Sequence, residues 1–357
     1  EYVLIFNFFN YNIEFMSQIT NSLKSICIIR LSSIGDITHM IPIIQTLKYY
    51  LPKTNLTWII GKTEYSLVKN IENIDFVVID KNNLLSAIRA LRTIKDNKYD
   101  VLLHMQVSFR SNIISTFINA KRKIGFDSTG SKNLHSFFIN ERIDSTYGIH
   151  VMDAFFCFLS KIGLDDKNFK YDMNIKLNNI LNLKEKYIVI NPFTSSRRFN
   201  YREWDIGNYN IIIDYLHRNY KISSIIIGGN SEYELEKSTL FNNKAYVINM
   251  VGKTDLEDAY NLIRLSELYI GPDSGTLHIA SMLKKPVIGL YATSNPLRTG
   301  PYYEMKYTIN KYPEALKIFN NKTKHSSIWG ERVRNKNAMS LIKTQDVINS
   351  IDKILNF

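Results

Sequence analysis

Only two cysteines, Cys27 and Cys157, occur in 357 residues, both in apolar stretches far apart in the chain. That scarcity excludes a disulfide scaffold and reads as buried, reduced thiols of a cytosolic protein. No Cys-x-x-Cys pair occurs and the seven histidines are scattered, so no metal site is expected. Long apolar runs are missing as well, none approaching the roughly eighteen residues that span a bilayer. The aromatic stretch from Glu1 to Phe15 is broken by Asn7, Asn10 and Asn12 and lacks the basic start and small-residue cleavage site of a signal peptide. It reads as an N-terminal extension, residues 1–24, with a membrane-surface anchor as the alternative. Several fingerprints are absent. Without Gly-x-Gly-x-x-Gly or Gly-x-x-x-x-Gly-Lys, dehydrogenase and P-loop readings fall away. Without Gly-x-Ser-x-Gly or His-Glu-x-x-His, so do serine hydrolases of that type and zinc proteases.

What is present is an ordinary globular composition, 45% hydrophobic and 22% charged, at about twice the usual length of one domain. The net charge of +12 bears on partners: a basic surface attracts phosphorylated substrates, anionic lipid head groups or nucleic acid. The basic residues form no recognition helix or aromatic RNA platform, so nucleic acid is not expected.

From Ser25 onward, short apolar runs alternate with helical stretches, the pattern of parallel α/β domains. The runs 26–31, 56–60, 76–79, 101–105 and 123–126 read as strands. Ile37, Met40, Ile41, Ile44 and Leu47 form the apolar face of a first helix, and a helix near 150–162 closes this domain, residues 25–165. The Asp-, Asn- and Lys-rich stretch 166–186 reads as a linker. The pattern restarts in a second domain, 187–343, with strands at 187–191, 224–227, 246–248, 268–270 and 287–290, each but the last followed by a helical stretch. A C-terminal helix at 344–357 ends the chain. Two doubly wound domains of this kind bind ligands at the carboxyl ends of their strands, in a cleft between them.

Four constellations follow strands. In Arg30-Leu-Ser-Ser-Ile-Gly-Asp36-Ile-Thr-His39 a turn allowed by Gly35 opens into a helix with Asp36 at or beside its N-terminus. Locally Asp36 is either an N-cap or a carboxylate presented to the cleft. Gly271-Pro-Asp273-Ser274-Gly275-Thr276-Leu-His278 is a second strand-to-helix turn, where free backbone N–H groups and the helix dipole suit a diphosphate. An ordinary capped turn is the alternative. Asp273 would repel phosphate, so it suits orienting the turn or accepting from a sugar hydroxyl. Thr194-Ser195-Ser196-Arg197-Arg198 combines hydroxyls with two guanidinium groups, a phosphate-binding chemistry, or else is a solvated basic loop. Gly228-Gly229 precedes Glu232 and Glu234, which either meet ribose hydroxyls or are helix-start charges.

Together these segments resemble family 9 glycosyltransferases, the heptosyltransferases of lipopolysaccharide core assembly, over roughly Ser25 to Leu355. The likeness is carried by Arg30–His39, by Gly271–Ala280, by Gln106–Ser111 (with Val107 where the family has glycine) and by the Met250–Thr254 loop. It implies the GT-B fold, two facing Rossmann-like domains, the first binding the acceptor and the second the nucleotide sugar. It implies an inverting, metal-independent transfer without cofactor, from ADP-heptose to a Kdo–lipid A or heptosylated inner-core acceptor, with Asp36 as general base. On the donor side it implies Thr194, Ser195, Ser196, Arg197 and Arg198 at the phosphates, Arg197 standing where the family has lysine and Arg198 one position beyond it. Asp273, Ser274, Gly275, Thr276 and His278 fall on the diphosphate and sugar loop, Glu234 on the ribose, and Thr254 near the base. On the acceptor side stand Ser33, Gln106, Arg110 and Arg122, with Lys121 and Lys123 beside them. A cytoplasmic location, peripheral to the anionic inner membrane, goes with this reading. The alternatives are a sister enzyme using another nucleotide sugar and a non-catalytic binder of nucleotide or anionic lipid.

Overall fold

Runs of Ile, Val and Leu this short, divided by helical stretches, fold as parallel strands when both sheet faces are covered. The computed structural model describes residues 23–356 except 169, 171–172, 182–184, 196–199 and 242. Of the expected extension at residues 1–24, all but the last two therefore lie outside the described residues. The chain divides into two units, Glu1–Ile175 and Lys176–Phe357. Each contains a parallel six-stranded sheet flanked by helices.

In the first unit the elements run β1 (Ser25–Ile29), α1 (Ile34–Tyr50), β2 (Asn55–Gly61), α2 (Lys62–Val68), β3 (Asp75–Ile79), α3 (Leu84–Arg92), β4 (Lys98–His104), α4 (Phe109–Thr116), β5 (Asn119–Gly125), a 3-10 turn at His135–Phe138, β6 (Glu141–Arg142) and α5 (Val151–Ser160). The strand order is β3-β2-β1-β4-β5-β6. Winding reverses at β1, so the loops leaving β1 and β4 part and open a crevice at their carboxyl ends. Cys27, Ile29 and Leu31 pack with Ile59, Val77, Ile79 and Leu102 into one core. The five apolar residues read onto the face of α1 are all fully buried.

The second unit runs β7 (Tyr187–Ile190), α6 (Ile206–Tyr220), β8 (Ser223–Ile226), α7 (Glu232–Ser238), β9 (Val247–Asn249), α8 (Leu256–Leu265), β10 (Tyr269–Pro272), α9 (Gly275–Met282), β11 (Val287–Tyr291), α10 (Pro296–Thr299), β12 (Ile309–Asn310), α11 (Tyr312–Asn320) and α12 (Thr344–Leu355). Its order, β12-β11-β10-β7-β8-β9, reverses at β7. Ile188, Ile190, Ile226, Ile270 and Ile288 from the strands meet Tyr209, Ile212 and Leu216 of α6 and Val347 and Ile351 of α12. The terminal helix is thus part of this unit's core. No helix among the described residues is long and apolar enough to cross a membrane.

Where the structure departs from the sequence reading, charge or brevity is the reason. Strand β4 begins at Lys98 and β5 at Asn119, earlier than the apolar runs, because lysines and an arginine occupy their half-exposed positions. The two-residue strands β6 and β12 are too short to show a period, and the second sheet extends past Leu290 through α10, β12 and α11. Gly35 lies within the first turn of α1 rather than in a left-handed turn. Both cysteines are free, but Cys157, on α5, is half-buried rather than buried.

Replacing Ile270, fully buried in β10, by alanine leaves a cavity and is expected to cost about 3 kcal/mol. Ile318→Ala on the exposed face of α11 should cost no more than about 0.5 kcal/mol. Urea denaturation midpoints of the two variants check the difference.

Candidate active site

In the first unit the crevice between β1 and β4 is stitched by side chains from both loops. Arg30, the residue after β1, is buried. Its Nη1 donates to the Met105 carbonyl, its Nη2 pairs with Asp36, and its guanidinium carbon stands 4.9 Å from the centroid of the Phe155 ring. Gln106, the second residue past β4, accepts through Oε1 from the amides of Leu31 and Ser32, the latter at 3.2 Å. Two strands thereby fix one loop, and that loop carries Asp36.

Asp36 is the third residue of α1, and Ser33 is the N-cap. The Ser33 amide and hydroxyl both donate to Asp36 Oδ2 at 2.9 Å, the carboxylate arm of a capping box. Arg30 also meets Oδ2, so all three interactions converge on one oxygen. Among the described residues none donates a hydrogen bond to Oδ1, and the side chain is 24% exposed. Burial raises the carboxyl pKa, but the Arg30 charge and the Ser33 hydrogen bonds outweigh it and hold Asp36 below its ordinary range. The carboxylate is therefore two-sided: Oδ2 is held by the cap and by Arg30, while Oδ1 takes no hydrogen bond from the described residues.

The other acceptor-side residues separate. Ser33 and Gln106 belong to the scaffold of the Asp36 loop. Arg110 is exposed on α4. Arg122 does not reach this crevice: it sits in the middle of β5, where Glu141 takes its guanidinium at 2.7 and 2.8 Å and the Lys161 carbonyl at 3.1 Å. Lys123 donates to the Ser115 carbonyl at 2.9 Å, and exposed Lys121 lies 3.4 Å from Asp100.

In the second unit the corresponding crevice lies between β7 and β10. Gly271 allows the closure, since a Cβ there would stand 2.5 Å from the Asn191 carbonyl oxygen. Asn191 Nδ2 donates to Thr276 Oγ1 at 2.6 Å. Thr276 also shares a 2.7 Å hydrogen bond with Tyr269, whose phenol is pushed up to about 12 by burial. Ser274 is the N-cap of α9, but its hydroxyl turns toward Tyr269 and Thr276 and does not cap the helix. The first amides of α9, beginning at Gly275, are thus left by Ser274 for an anion.

Asp273 is the buried centre of this turn. Its Oδ2 accepts from Ser294 at 2.8 Å and pairs with Arg202 at 3.2 Å, while His278 Nε2 stands 3.7 Å from Oδ1. Burial raises its pKa, yet His278, Arg202 and Ser294 drive it well below the usual carboxylate range. Arg202 also donates to the Asp273 carbonyl at 2.7 Å and to Asn200 at 2.6 Å. Glu203 ties the loop after β7 to α7, accepting from the Thr194 amide at 2.9 Å and from the Tyr233 hydroxyl at 2.8 Å. Asn200 donates to Thr194 at 2.9 Å and to the Ser195 carbonyl at 2.6 Å. Ser196, Arg197 and Arg198 lie outside the described residues. Glu234 accepts from the Gly229 amide at 3.0 Å and the Ser231 hydroxyl at 2.6 Å, so it closes the turn before α7. Thr254 immediately precedes Asp255, the N-cap of α8, beyond a turn that needs Gly252 at φ +74°.

Arg202 and Ser294 escaped the sequence reading. Arg202 differs from Arg197 and Arg198 by no local pattern; only Trp204, buried two residues later, marks the chain turning back toward the core. Ser294 obeys the rule that found the others, lying just past the carboxyl end of β11.

The glycosyltransferase family 9 (heptosyltransferase) profile matches residues 87–327. The lipopolysaccharide core heptosyltransferase OpsX of Haemophilus influenzae is 33% identical over 348 residues, covering 95% of this chain and 99% of that protein. A family 9 glycosyl transferase from Veillonella parvula superposes with a TM-score of 0.71 at 20% identity, over 93% of this chain and 97% of its own. The Escherichia coli heptosyltransferase WaaC, solved with ADP and with ADP-2-deoxy-2-fluoro heptose, superposes at 0.69 and 17% identity over 92% of this chain and 97% or 99% of its own.

Breaking the buried pair by Arg202→Met strands a charge and should cost about 3 kcal/mol. Asp273 is depressed when folded, so its stabilisation is complete above its unfolded pKa of about 3.9 and is lost as pH falls through the lower folded value. Arg202→Met raises that folded value. The acid-unfolding midpoint, followed by circular dichroism, should therefore move to higher pH.

Proposed function

The chain belongs to glycosyltransferase family 9, the heptosyltransferase family, and from that premise we propose that it transfers heptose from ADP-heptose to the Kdo or heptose residues of the lipopolysaccharide inner core, with inversion. Its fold is of the GT-B type. The first unit is assigned the acceptor and the second the nucleotide sugar, a division supported by the chemistry at each switch point. The OpsX relative, a lipopolysaccharide core heptosyltransferase, supports the acceptor class. The WaaC structures with ADP and with a fluorinated ADP-heptose support the donor.

The observation that carries the reading is an ionised Asp36 that is held at Oδ2 and takes no hydrogen bond from the described residues at Oδ1. In the proposed step an acceptor hydroxyl attacks the anomeric carbon, its proton passes to Oδ1, and the bond to the diphosphate breaks as ADP departs. A carboxylate of depressed pKa takes that proton late, once the new C–O bond has acidified the attacking oxygen. Arg30 is a positioning residue here: it aims the carboxylate and keeps it charged. The growing charge on the diphosphate is met by the amides at the start of α9. Arg197 and Arg198 are assigned to the same phosphates from the sequence. Asp273, enclosed and fully engaged, shapes the donor turn and takes no proton. The site of action is read as the cytoplasmic face of the inner membrane, in keeping with the net charge of +12.

ADP release from ADP-heptose, with and without Kdo–lipid A, tests the proposal. Acceptor-dependent release is expected, lowered by roughly a hundredfold in Asp36→Asn, the low end for a lost general base. The acid limb of kcat/KM should lie below about 3.9, because Asp36 titrates below a free aspartate. Undiminished turnover by Asp36→Asn would remove it as the base, and turnover only with a different nucleotide sugar would replace ADP-heptose as the donor.

A further inference from the structure

Helix α4 is built inside out. A surface helix ordinarily buries its apolar stripe. Here Ser111, Asn112 and Ser115 are buried with Ile114, while Phe109, Ile113 and the C-cap Phe117 are 60%, 43% and 50% exposed. The three exposed residues recur every four positions and so share one face. The buried polar face is fully used. Ser111 donates to the Gln106 and Ser108 carbonyls at 2.9 and 2.8 Å, and Ser115 to the Asn112 carbonyl at 2.6 Å. Asn112 grips the neighbouring loop, donating to the Asn133 carbonyl at 2.7 Å and meeting His135 Nδ1 at 3.0 Å. That loop carries Leu134 and Phe137, 63% and 82% exposed. Helix and loop are therefore pinned into one platform with five large apolar side chains facing water, a grouping that marks an interaction surface.

Charge selects the occupant. Residues 106–138 contain five cations and one acid, Asp127; Lys121 and Arg122 are paired with Asp100 and Glu141 and Lys123 donates to the Ser115 carbonyl, which leaves Arg110 and Lys132 beside the platform. Asp127 is buried and spent on Thr129, Gly130 and Thr146. Arg110 and Lys132 are exposed and each lies within two residues of an exposed apolar side chain. Apolar insertion beside basic residues matches an anionic lipid surface. The platform also starts three residues after Gln106, which holds the Asp36 loop.

We propose that Phe109, Ile113, Phe117, Leu134 and Phe137 insert into an anionic phospholipid bilayer, with Arg110 and Lys132 on the head-group phosphates. Bilayer docking brings the Asp36 loop to the membrane plane, where a lipid-anchored acceptor is held. Only this last step rests on the transferase reading; lipid binding stands apart from it.

The test is co-sedimentation of the full chain with vesicles of phosphatidylcholine alone or with roughly one-third phosphatidylglycerol, the acidic lipid supplying the surface potential. Binding to the mixed vesicles should be at least about tenfold tighter, and Phe109→Ser/Phe117→Ser/Phe137→Ser should lose about tenfold or more. Leu297→Ser/Ile328→Ser, equally exposed on the second unit, should bind as the unsubstituted chain does. The triple variant should keep its turnover of a deacylated, water-soluble acceptor and its circular dichroism spectrum. Undiminished vesicle binding by the triple variant overturns the proposal, as does equal binding to neutral vesicles. A change in self-association by sedimentation velocity, with lipid affinity unaltered, replaces the bilayer by a second copy of the chain. The vesicle assay contains neither donor nor acceptor, so failure of the transferase reading leaves its result intact.

Discussion

A carboxylate withdrawn from bulk water stays charged only with a cation and hydrogen-bond donors beside it, and each half of this protein is arranged around one such group. In the first unit Arg30 and Ser33 meet Asp36; in the second, Arg202 and Ser294 meet Asp273. Both pairs sit where the winding of a parallel sheet reverses, because only there do the loops of neighbouring strands separate enough to admit a ligand. The difference between them is accessibility. Asp273 is sealed and has neighbours at both oxygens, whereas Asp36 is partly exposed and, among the described residues, takes its hydrogen bonds at one oxygen only. Burial, rather than residue type, is what distinguishes the two carboxylates.

Much of this was legible in the sequence because it rests on local rules. Short apolar runs and helical patterns located most of the elements, and residues just past the strand ends included Asp36, Ser274 and Thr276. Family likeness weighted Asp36 toward catalysis, where local spacing alone favoured an N-cap; in the structure Ser33 is the N-cap and Asp36 is the third residue of its capping box. What stayed hidden depends on three-dimensional proximity. Nothing in Arg202 announces that its charge is spent on a residue 71 positions away. Arg122 looked free for a substrate because Glu141 is distant in sequence, although β5 and β6 are adjacent strands. The inverted face of α4 was equally unreadable, since Phe109, Ile113 and Phe117 at helical spacing suggest a buried stripe until the tertiary structure assigns the core to the serines and asparagine.

The two capping carboxylates differ: Asp36 takes its hydrogen bonds from Ser33 at one oxygen, whereas Glu234 uses both, Oε1 for the Gly229 amide and Oε2 for the Ser231 hydroxyl. A carboxylate has about four lone-pair directions, and a capping box uses only some of them. Placing such a group at the carboxyl end of a parallel strand costs little, because its charge favours the helix N-terminus that follows. At Asp36, Arg30 adds its own hold on the capping oxygen, which fixes the direction of the whole carboxylate.

Glu203 joins Thr194, in the loop after β7, to Tyr233 on α7, and Asn200 with Arg202 carries the connection on to Asp273. The segments read as cradling phosphate, ribose and sugar are therefore mechanically one piece. Evolution cannot easily retune one of them alone: a substitution that suits a new sugar at the Asp273 turn is transmitted through Arg202 and Glu203 to the others. Changes of donor preference on this scaffold should consequently show strong epistasis, arriving as coordinated sets of substitutions across loops distant in sequence rather than as single steps.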